Sequence, residues 1–294
     1  MKILSPAQAF DAQFMHDLLS RDFEIKSLAP PCKNAENTYA FEINGDTIAK
    51  FPRKESKIQK LVLERDLLNL LQGETNLKIP EPKLSDQEYF YSFYRKIPGD
   101  NIDQNQLSKL PAAAQQKFCE NIASFVFKLH SLTDKVTEKI QLPEWDRFFR
   151  KYLKPNEVLE MTLNDNNFSA PEKEFLKSFY ENFSLTHDRA IIKFSHFDIM
   201  PKNIAFDFDG QEIAGIYDFG DSGIGDIHFD FSQMGLHYNL ETLSRIVDYY
   251  EQLSGIELDI NKIWDYSFCS HAHFYTYAPD EDRASLQEQI KMRT

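Results

Sequence analysis

Cysteine is scarce in this chain of 294 residues. Cys32, Cys119 and Cys269 are odd in number and share no paired spacing, which excludes a disulfide framework and a cysteine-based zinc site. No apolar run approaches the ~20 residues of a membrane-spanning helix. The opening Met1-Lys2-Ile3-Leu4-Ser5-Pro6 lacks the apolar core and small-residue cleavage site of a secretory leader, so a cytoplasmic protein is expected. Positive charge is outnumbered, 33 Lys and Arg against 46 Asp and Glu, for a formal charge of −13. That balance disfavours nucleic acid and anionic membranes as partners and suits a cationic small molecule. Internal repeats, heptads and low-complexity segments are missing as well. Periodicity predicts helices over Pro6 to Leu19, Pro111 to Leu129, Trp145 to Tyr152, Pro171 to Asn182, Leu240 to Leu253, Ile260 to Tyr277 and Ala284 to Lys291, and an aromatic strand over Tyr89 to Tyr94.

One stretch carries chemistry. Ser195-His196-Phe197-Asp198-Ile199-Met200-Pro201-Lys202-Asn203 is followed, after a short apolar run, by Ile216-Tyr217-Asp218-Phe219-Gly220-Asp221. Asp and Asn are common turn residues, and the first segment taken alone reads equally as loop punctuation. The residues between the two segments decide the matter. Ile204, Phe206 and Phe208 alternate as in a strand, Asp209-Gly210 is a hairpin turn signal, and Ile213, Gly215 and Tyr217 form the returning strand. A tight hairpin returns Asp218 to the neighbourhood of Asn203, where an amide oxygen and a carboxylate suit Mg²⁺. Asp198 is then placed to accept the proton of a hydroxyl during phosphoryl transfer.

Such chemistry requires a phosphate-binding lysine upstream with a helical carboxylate to orient it. Thr38 to Ile43 reads as a strand, Asn44-Gly45-Asp46 as a turn and Thr47 to Phe51 as the returning strand, with Lys50 flanked by apolar residues. Leu61, Leu63, Leu67, Leu68, Leu70 and Leu71 recur near helical spacing, with Glu64 among them. A lysine in an apolar strand is costly to desolvate unless paired, and Glu64 is the expected partner.

These motifs resemble the aminoglycoside phosphotransferase family of small-molecule kinases. The matching residues are Ala49-Lys50-Phe51, Glu64, the hinge-like Phe93-Tyr94-Arg95-Lys96-Ile97-Pro98-Gly99, Phe127-Lys128-Leu129-His130, the His196 to Asn203 loop, Ile216 to Asp221, and Gly225-Asp226 with Asp230. They run in family order from about Tyr39 to Ser232. Lys50-Phe51-Pro52, the Lys96-Ile97-x-Gly99 hinge and Asp218-Phe219-Gly220-Asp221 are most similar to the 2''-phosphotransferase branch.

The resemblance implies an α+β, bilobal protein-kinase-like fold. Residues 1–97 would form an N-terminal nucleotide-binding lobe of antiparallel sheet plus helix, and residues 98–294 a larger, mainly helical catalytic and substrate-binding lobe. It implies ATP or GTP as phosphoryl donor, Mg²⁺, and a monomer. Asp198 would be the catalytic base, His196 a support of its loop, and Asp230 an acceptor of backbone hydrogen bonds from that loop. Asn203 and Asp218 would hold Mg²⁺, Lys50 would contact the nucleotide phosphates with Glu64 bracing it, and Phe93, Tyr94, Arg95 and Ile97 would offer backbone groups to the base, packed by Ile216. His130 reads as a satisfied core or helix-end histidine.

Two departures from the family pattern bear on function. Ser27 to Asn37 contains no glycine and carries Pro30-Pro31, where protein kinases cover the phosphates with a glycine-rich loop; Asn34, Asn37 and Thr38 remain as donors. After Asp230 the run Met234 to Leu240 holds no carboxylate until Glu241, where the 2'' branch uses an acidic stretch to hold its cationic drug. Asp226, Glu144 and Asp146 beside Trp145, or Asp280-Glu281-Asp282 are candidate substitutes, the last reading first as a solvated turn. The expectation is a nucleotide-dependent O-phosphotransferase acting on an aminoglycoside or another cationic or sugar-like compound. The alternatives are a kinase of another hydroxyl metabolite (choline, homoserine, a sugar, a macrolide) and a noncatalytic nucleotide-binding pseudokinase. The complete set Lys50, Asp198, Asn203 and Asp218 speaks against the pseudokinase.

Overall fold

The computed structural model describes residues 2–31, 37–143, 155–183 and 190–293. Cys32, Asn34, Glu144, Trp145 and Asp146, and the whole of a helix expected from Trp145 to Tyr152, lie outside the described residues. The chain divides into two compact units: residues 1–102, 138–140 and 202–221 in the first, and 103–137, 141–201 and 222–294 in the second.

The first unit is built on a five-stranded antiparallel sheet of order β1-β2-β3-β5-β4. Its strands are β1 (Leu28–Ala29), β2 (Thr38–Ile43), β3 (Thr47–Pro52), β4 (Lys83–Leu84) and β5 (Ser92–Arg95). Period-two alternation on β2 sends Tyr39, Phe41 and Ile43 into a core with Ala49, Phe51 and Tyr91. The expected first helix from Pro6 to Leu19 is instead two helices, Pro6–Ala9 and Ala12–Leu19. Asp11 leaves helical geometry to accept the Phe14 N–H at 3.0 Å, starting a new helix rather than continuing the first. The aromatic strand expected over Tyr89 to Tyr94 begins only at Ser92, because the Phe90 N–H bonds the carbonyl of Lys2 and the Tyr91 carbonyl accepts from Ser85. Helix Ile58–Leu71 buries Leu61, Leu67, Leu68 and Leu71 on the stripe that also carries Glu64.

The hairpin of β7 (Ile204–Asp207) and β8 (Glu212–Ile216) groups with this unit. The Phe206 amide and carbonyl exchange hydrogen bonds with Asp100 at 2.8 and 3.0 Å, and the Ile216 N–H reaches the Lys78 carbonyl at 2.9 Å. Gly215 permits that approach: a Cβ there would lie 2.6 Å from Ile97 Cδ1 and 2.6 Å from the Lys78 oxygen.

The second unit is mainly helical, with a two-stranded ladder of β6 (Ile192–Ser195) and β9 (Gly223–Asp226). Helices Ala112–Ser131 and Leu240–Ser254 pack together, and Ile260–Tyr275 packs on His228–Gly235 and on Pro279–Lys291. That last helix was expected only from Ala284, with 280–282 as a turn; Pro279 at its first position starts it five residues earlier. Asp165, directly after helix Pro155–Asn164, fastens that helix to Ile260–Tyr275 and Pro279–Lys291. It accepts from Tyr275 Oη at 2.8 Å, Arg283 Nε at 2.7 Å and the Asn167 N–H at 2.8 Å. Among the described residues, no helix is long and apolar enough to cross a membrane.

Gly215→Ala should destabilise the first unit by about 2 kcal/mol through overpacking, read as a lowered urea midpoint. The Asn167 amide, followed by Arg283 and Tyr275, holds the Asp165 carboxyl below its ordinary 3.8. A depressed carboxylate contributes stability above its unfolded pKa and loses it as pH falls through the folded one. Asp165→Asn should therefore lower Tm at pH 7, and the difference from wild type should shrink below pH 3.8; a pH-independent difference would show that the charge is not what matters.

Candidate active site

In the first unit the site is organised by Lys50. On β3 it stands opposite Ala40 of β2 and Ser92 of β5, and alternation turns Ala49 and Phe51 into the core and Lys50 to the other face. Lys50 is 9% and Glu64 6% exposed, yet both are charged side chains. Lys50 Nζ lies 3.2 Å from Glu64 Oε1, 3.3 Å from Asp218 Oδ1 and 5.6 Å from the centre of the Tyr94 ring. Burial works against the ammonium, but the charges of Asp218 and Glu64 outweigh it and hold its pKa well above the ordinary 10.5. Burial pushes Glu64 upward, with Lys50 opposing.

Asp218 arrives by way of the hairpin. The Ile204–Ile216 pair sets the register, and the next residue, Tyr217, donates its N–H to the Asn203 carbonyl at 2.8 Å. Asn203 and Asp218 thus stand at the same end of one hairpin. Asn203 is buried, whereas the Asp218 side chain is 46% exposed. Asp218 has φ 62°, a left-handed conformation that a non-glycine residue holds only when its surroundings impose it. An amide oxygen and a partly open carboxylate fit the oxygen-donor chemistry of Mg²⁺.

The hinge residues do not share one environment. Tyr94 faces Lys50, while Phe93 packs on Phe23 at 5.2 Å on the opposite face and Arg95 reaches into solvent beside Asp46. Ile97 is buried, and its carbonyl accepts from Tyr217 Oη at 2.7 Å, with Ile216 fully buried alongside. A cavity of about 860 Å³ is lined in part by Phe23, Thr47, Phe93 and Arg95. Its lining also takes in Tyr94, Lys96, Ile97 and Pro98, so the cavity runs along the hinge segment.

In the second unit Asp230, fully buried, gathers the loop that carries Asp198. Its Oδ1 accepts the Phe197 N–H at 2.6 Å and its Oδ2 the His196 N–H at 3.2 Å. His196, also buried, accepts the Asp198 N–H on Nδ1 at 3.2 Å. Phe197 between them has φ 68°, unusual for a bulky residue, and its ring packs on Phe229 at 5.8 Å. His130 is a satisfied core histidine, with Nε2 3.1 Å from Asp230 Oδ2 and Nδ1 2.8 Å from Tyr250 Oη. Its partner was not legible beforehand, because Asp230 lies 100 residues away.

Asp226 is corrected as a substrate-facing acid. It is fully buried and bound by Lys262, by His228 Nδ1 at 2.6 Å and by Tyr266 Oη at 3.0 Å. The pair of Lys60 and Asp221, at 2.5 Å, was missed altogether. Its signal lay in a lysine four residues before Glu64 and an aspartate three residues after Asp218.

Residues 28–264 match the family described as "Phosphotransferase enzyme family". A GDP complex of wild-type aminoglycoside 2'-phosphotransferase-IIIa superposes with TM-score 0.79 at 18% identity, over 97% of this chain and 100% of that one. A GDP and kanamycin complex of APH(2")-IIia gives 0.74 at 19%, over 95% and 96%. Macrolide 2'-phosphotransferase type I gives 0.67 at 14%, over 99% of each chain. At these identities the structures establish a shared fold.

Asp230→Asn turns an amide donor toward donors and leaves at least one backbone N–H of the 196–197 segment without its acceptor. The expected loss is about 2–4 kcal/mol of stability, measured by chemical denaturation. An unchanged midpoint would show these bonds to be dispensable.

Proposed function

The chain belongs to the phosphotransferase enzyme family, and on that premise we propose that it moves the γ-phosphoryl group of ATP or GTP to a hydroxyl of a small molecule. The carrying observation is Lys50, a buried cation shared between Glu64 and Asp218 at the end of the hairpin that also bears Asn203. We assign residues 1–97 to the nucleotide lobe and 98–294 to the catalytic and acceptor lobe, and infer a monomeric, cytoplasmic enzyme with neither nucleic acid nor membrane as partner.

Lys50 neutralises phosphate charge, and Glu64 keeps its ammonium in place. Hinge backbone groups between Phe93 and Ile97 receive the base, against Ile216. Asn203 and Asp218 would hold Mg²⁺, which supplies further charge neutralisation at the phosphates when bound. Asp198 accepts the proton of the acceptor hydroxyl as its oxygen bonds to the γ-phosphorus. The bond from that phosphorus to the bridging oxygen breaks, and the nucleoside diphosphate leaves with the bridging electron pair. His196 and Asp230 position the Asp198 loop and do not touch the reacting atoms.

The acceptor follows less directly. Proteins of this fold include enzymes named for aminoglycosides and for macrolides. A polycationic aminoglycoside suits the acidity of the chain. The second reading is a hydroxyl compound of lower charge: a macrolide, a sugar, choline or homoserine. It is favoured by Asp226, whose carboxylate is consumed internally by Lys262, His228 and Tyr266.

Asp198→Ala should lower kcat by about 10²–10⁴-fold while nucleotide affinity stays within about threefold of wild type. A phosphate-transfer assay over a panel of aminoglycosides, macrolides, sugars and choline, with Mg²⁺ and either nucleotide, measures both. Turnover by the variant equal to wild type would sink the assignment of the base.

A further inference from the structure

Lys60 stands one helical turn before Glu64 on Ile58–Leu71, and its ammonium lies 2.5 Å from Asp221 Oδ1, 161 residues away in sequence. We propose that Lys60 and Asp221 form a positioning clamp that holds the Asp218-Phe219-Gly220-Asp221 turn on the Glu64 helix, ordering Asp218 toward Lys50 before nucleotide and metal arrive. The proposal rests on the reading above in taking Asp218 as a ligand-facing carboxylate.

Packing is the first support. The turn from Phe219 to Asp221 is a single short 3-10 segment, too brief to hold itself by its own hydrogen bonds. Phe219 is buried and fixes one side. The stem of Lys60 lies across the other: a Cβ on Gly220 would come 3.1 Å from Lys60 Cε. The lysine thus covers the turn with its methylenes and grips it with its head, while its side chain stays 26% exposed.

Backbone conformation is the second. Asp218 is held at φ 62°, a cost that must be met by neighbouring contacts. Its carboxylate meets Lys50, and the turn just beyond it is contacted by Lys60 at both Gly220 and Asp221.

Charge is the third. Glu64, Asp218 and Asp221 are three carboxylates served by two lysines, Lys50 bridging Glu64 and Asp218 and Lys60 holding Asp221. Burial raises the pKa of Glu64, and the charge of Lys60, together with the larger effect of Lys50, counters it. Removing Lys60 takes the ammonium from Asp221, and repulsion between its carboxylate and that of nearby Asp218 loosens the turn. A clamp that orders the turn in advance lowers the cost of ordering it on binding, the general route by which preorganisation raises affinity.

The test uses the full chain with Lys60→Met, Asp221→Asn, Lys60→Arg, and the charge exchange Lys60→Asp with Asp221→Lys. Hydrogen exchange of the ligand-free protein reads the turn directly. Lys60→Met should accelerate exchange in the 217–222 peptide about fivefold, with the remaining peptides unchanged, and the exchange variant and Lys60→Arg should recover most of the protection. With a fluorescent nucleotide analogue, half-saturation by Mg²⁺ should rise about fivefold in Lys60→Met and Asp221→Asn, and in turnover KM for the nucleotide should rise while kcat changes less. Unchanged exchange at 217–222 in Lys60→Met and Asp221→Asn overturns the clamp, as does a loss that the exchange variant and Lys60→Arg both fail to restore. A wild-type chain that binds no nucleotide with Mg²⁺ overturns the phosphotransferase reading instead, and the exchange data still judge the clamp.

Discussion

A buried ammonium needs carboxylates, and the first unit is arranged to bring them. Lys50 is nearly inaccessible on an apolar strand, so an unpaired charge there would be expelled or neutralised. Glu64 comes from a helix begun six residues after β3 ends, Asp218 from a hairpin more than 160 residues later. The hairpin therefore groups with the sheet rather than with the helices that precede it in sequence. The partial exposure of Asp218 leaves the site open on one side, where a ligand of opposite chemistry to the lysine fits.

The second unit solves a different problem, that of holding a loop in an unfavourable shape. Phe197 sits at positive φ, and Asp230 compensates by accepting the two backbone N–H groups of His196 and Phe197. His130 and Tyr250 in turn satisfy Asp230, so a chain of buried polar groups runs from the core to the Asp198 loop. Each member has a partner, which is the condition for burying such a network without penalty.

Legibility in the sequence varied with the range of the interaction. Strands β2 and β3 and helices Ala112–Ser131 and Leu240–Ser254 follow closely the spans expected from alternation and 3.6-residue periodicity, because those signals are local. The Asn203 to Asp218 hairpin was readable for the same reason, through Asp209-Gly210. Boundaries failed where a tertiary contact competed with the local pattern: Asp11 divided the first helix by capping, and Lys2 and Ser85 claimed the backbone of Phe90 and Tyr91. Asp226 looked available beside Gly225, since nothing local announces Lys262 or Tyr266 as its partners.

The sequence by itself determined the chemistry, because a lysine, an asparagine and aspartates at set spacings on strands and a tight hairpin can be placed by short-range rules. Beyond the expected Lys50–Glu64 pair, only the tertiary structure decided which polar groups met: Lys50 also with Asp218, Asp230 with His130, and Lys60 with Asp221. Those partners lie 100 to 168 residues apart, and electrostatic pairing depends on distance in space, to which periodicity along the chain is blind.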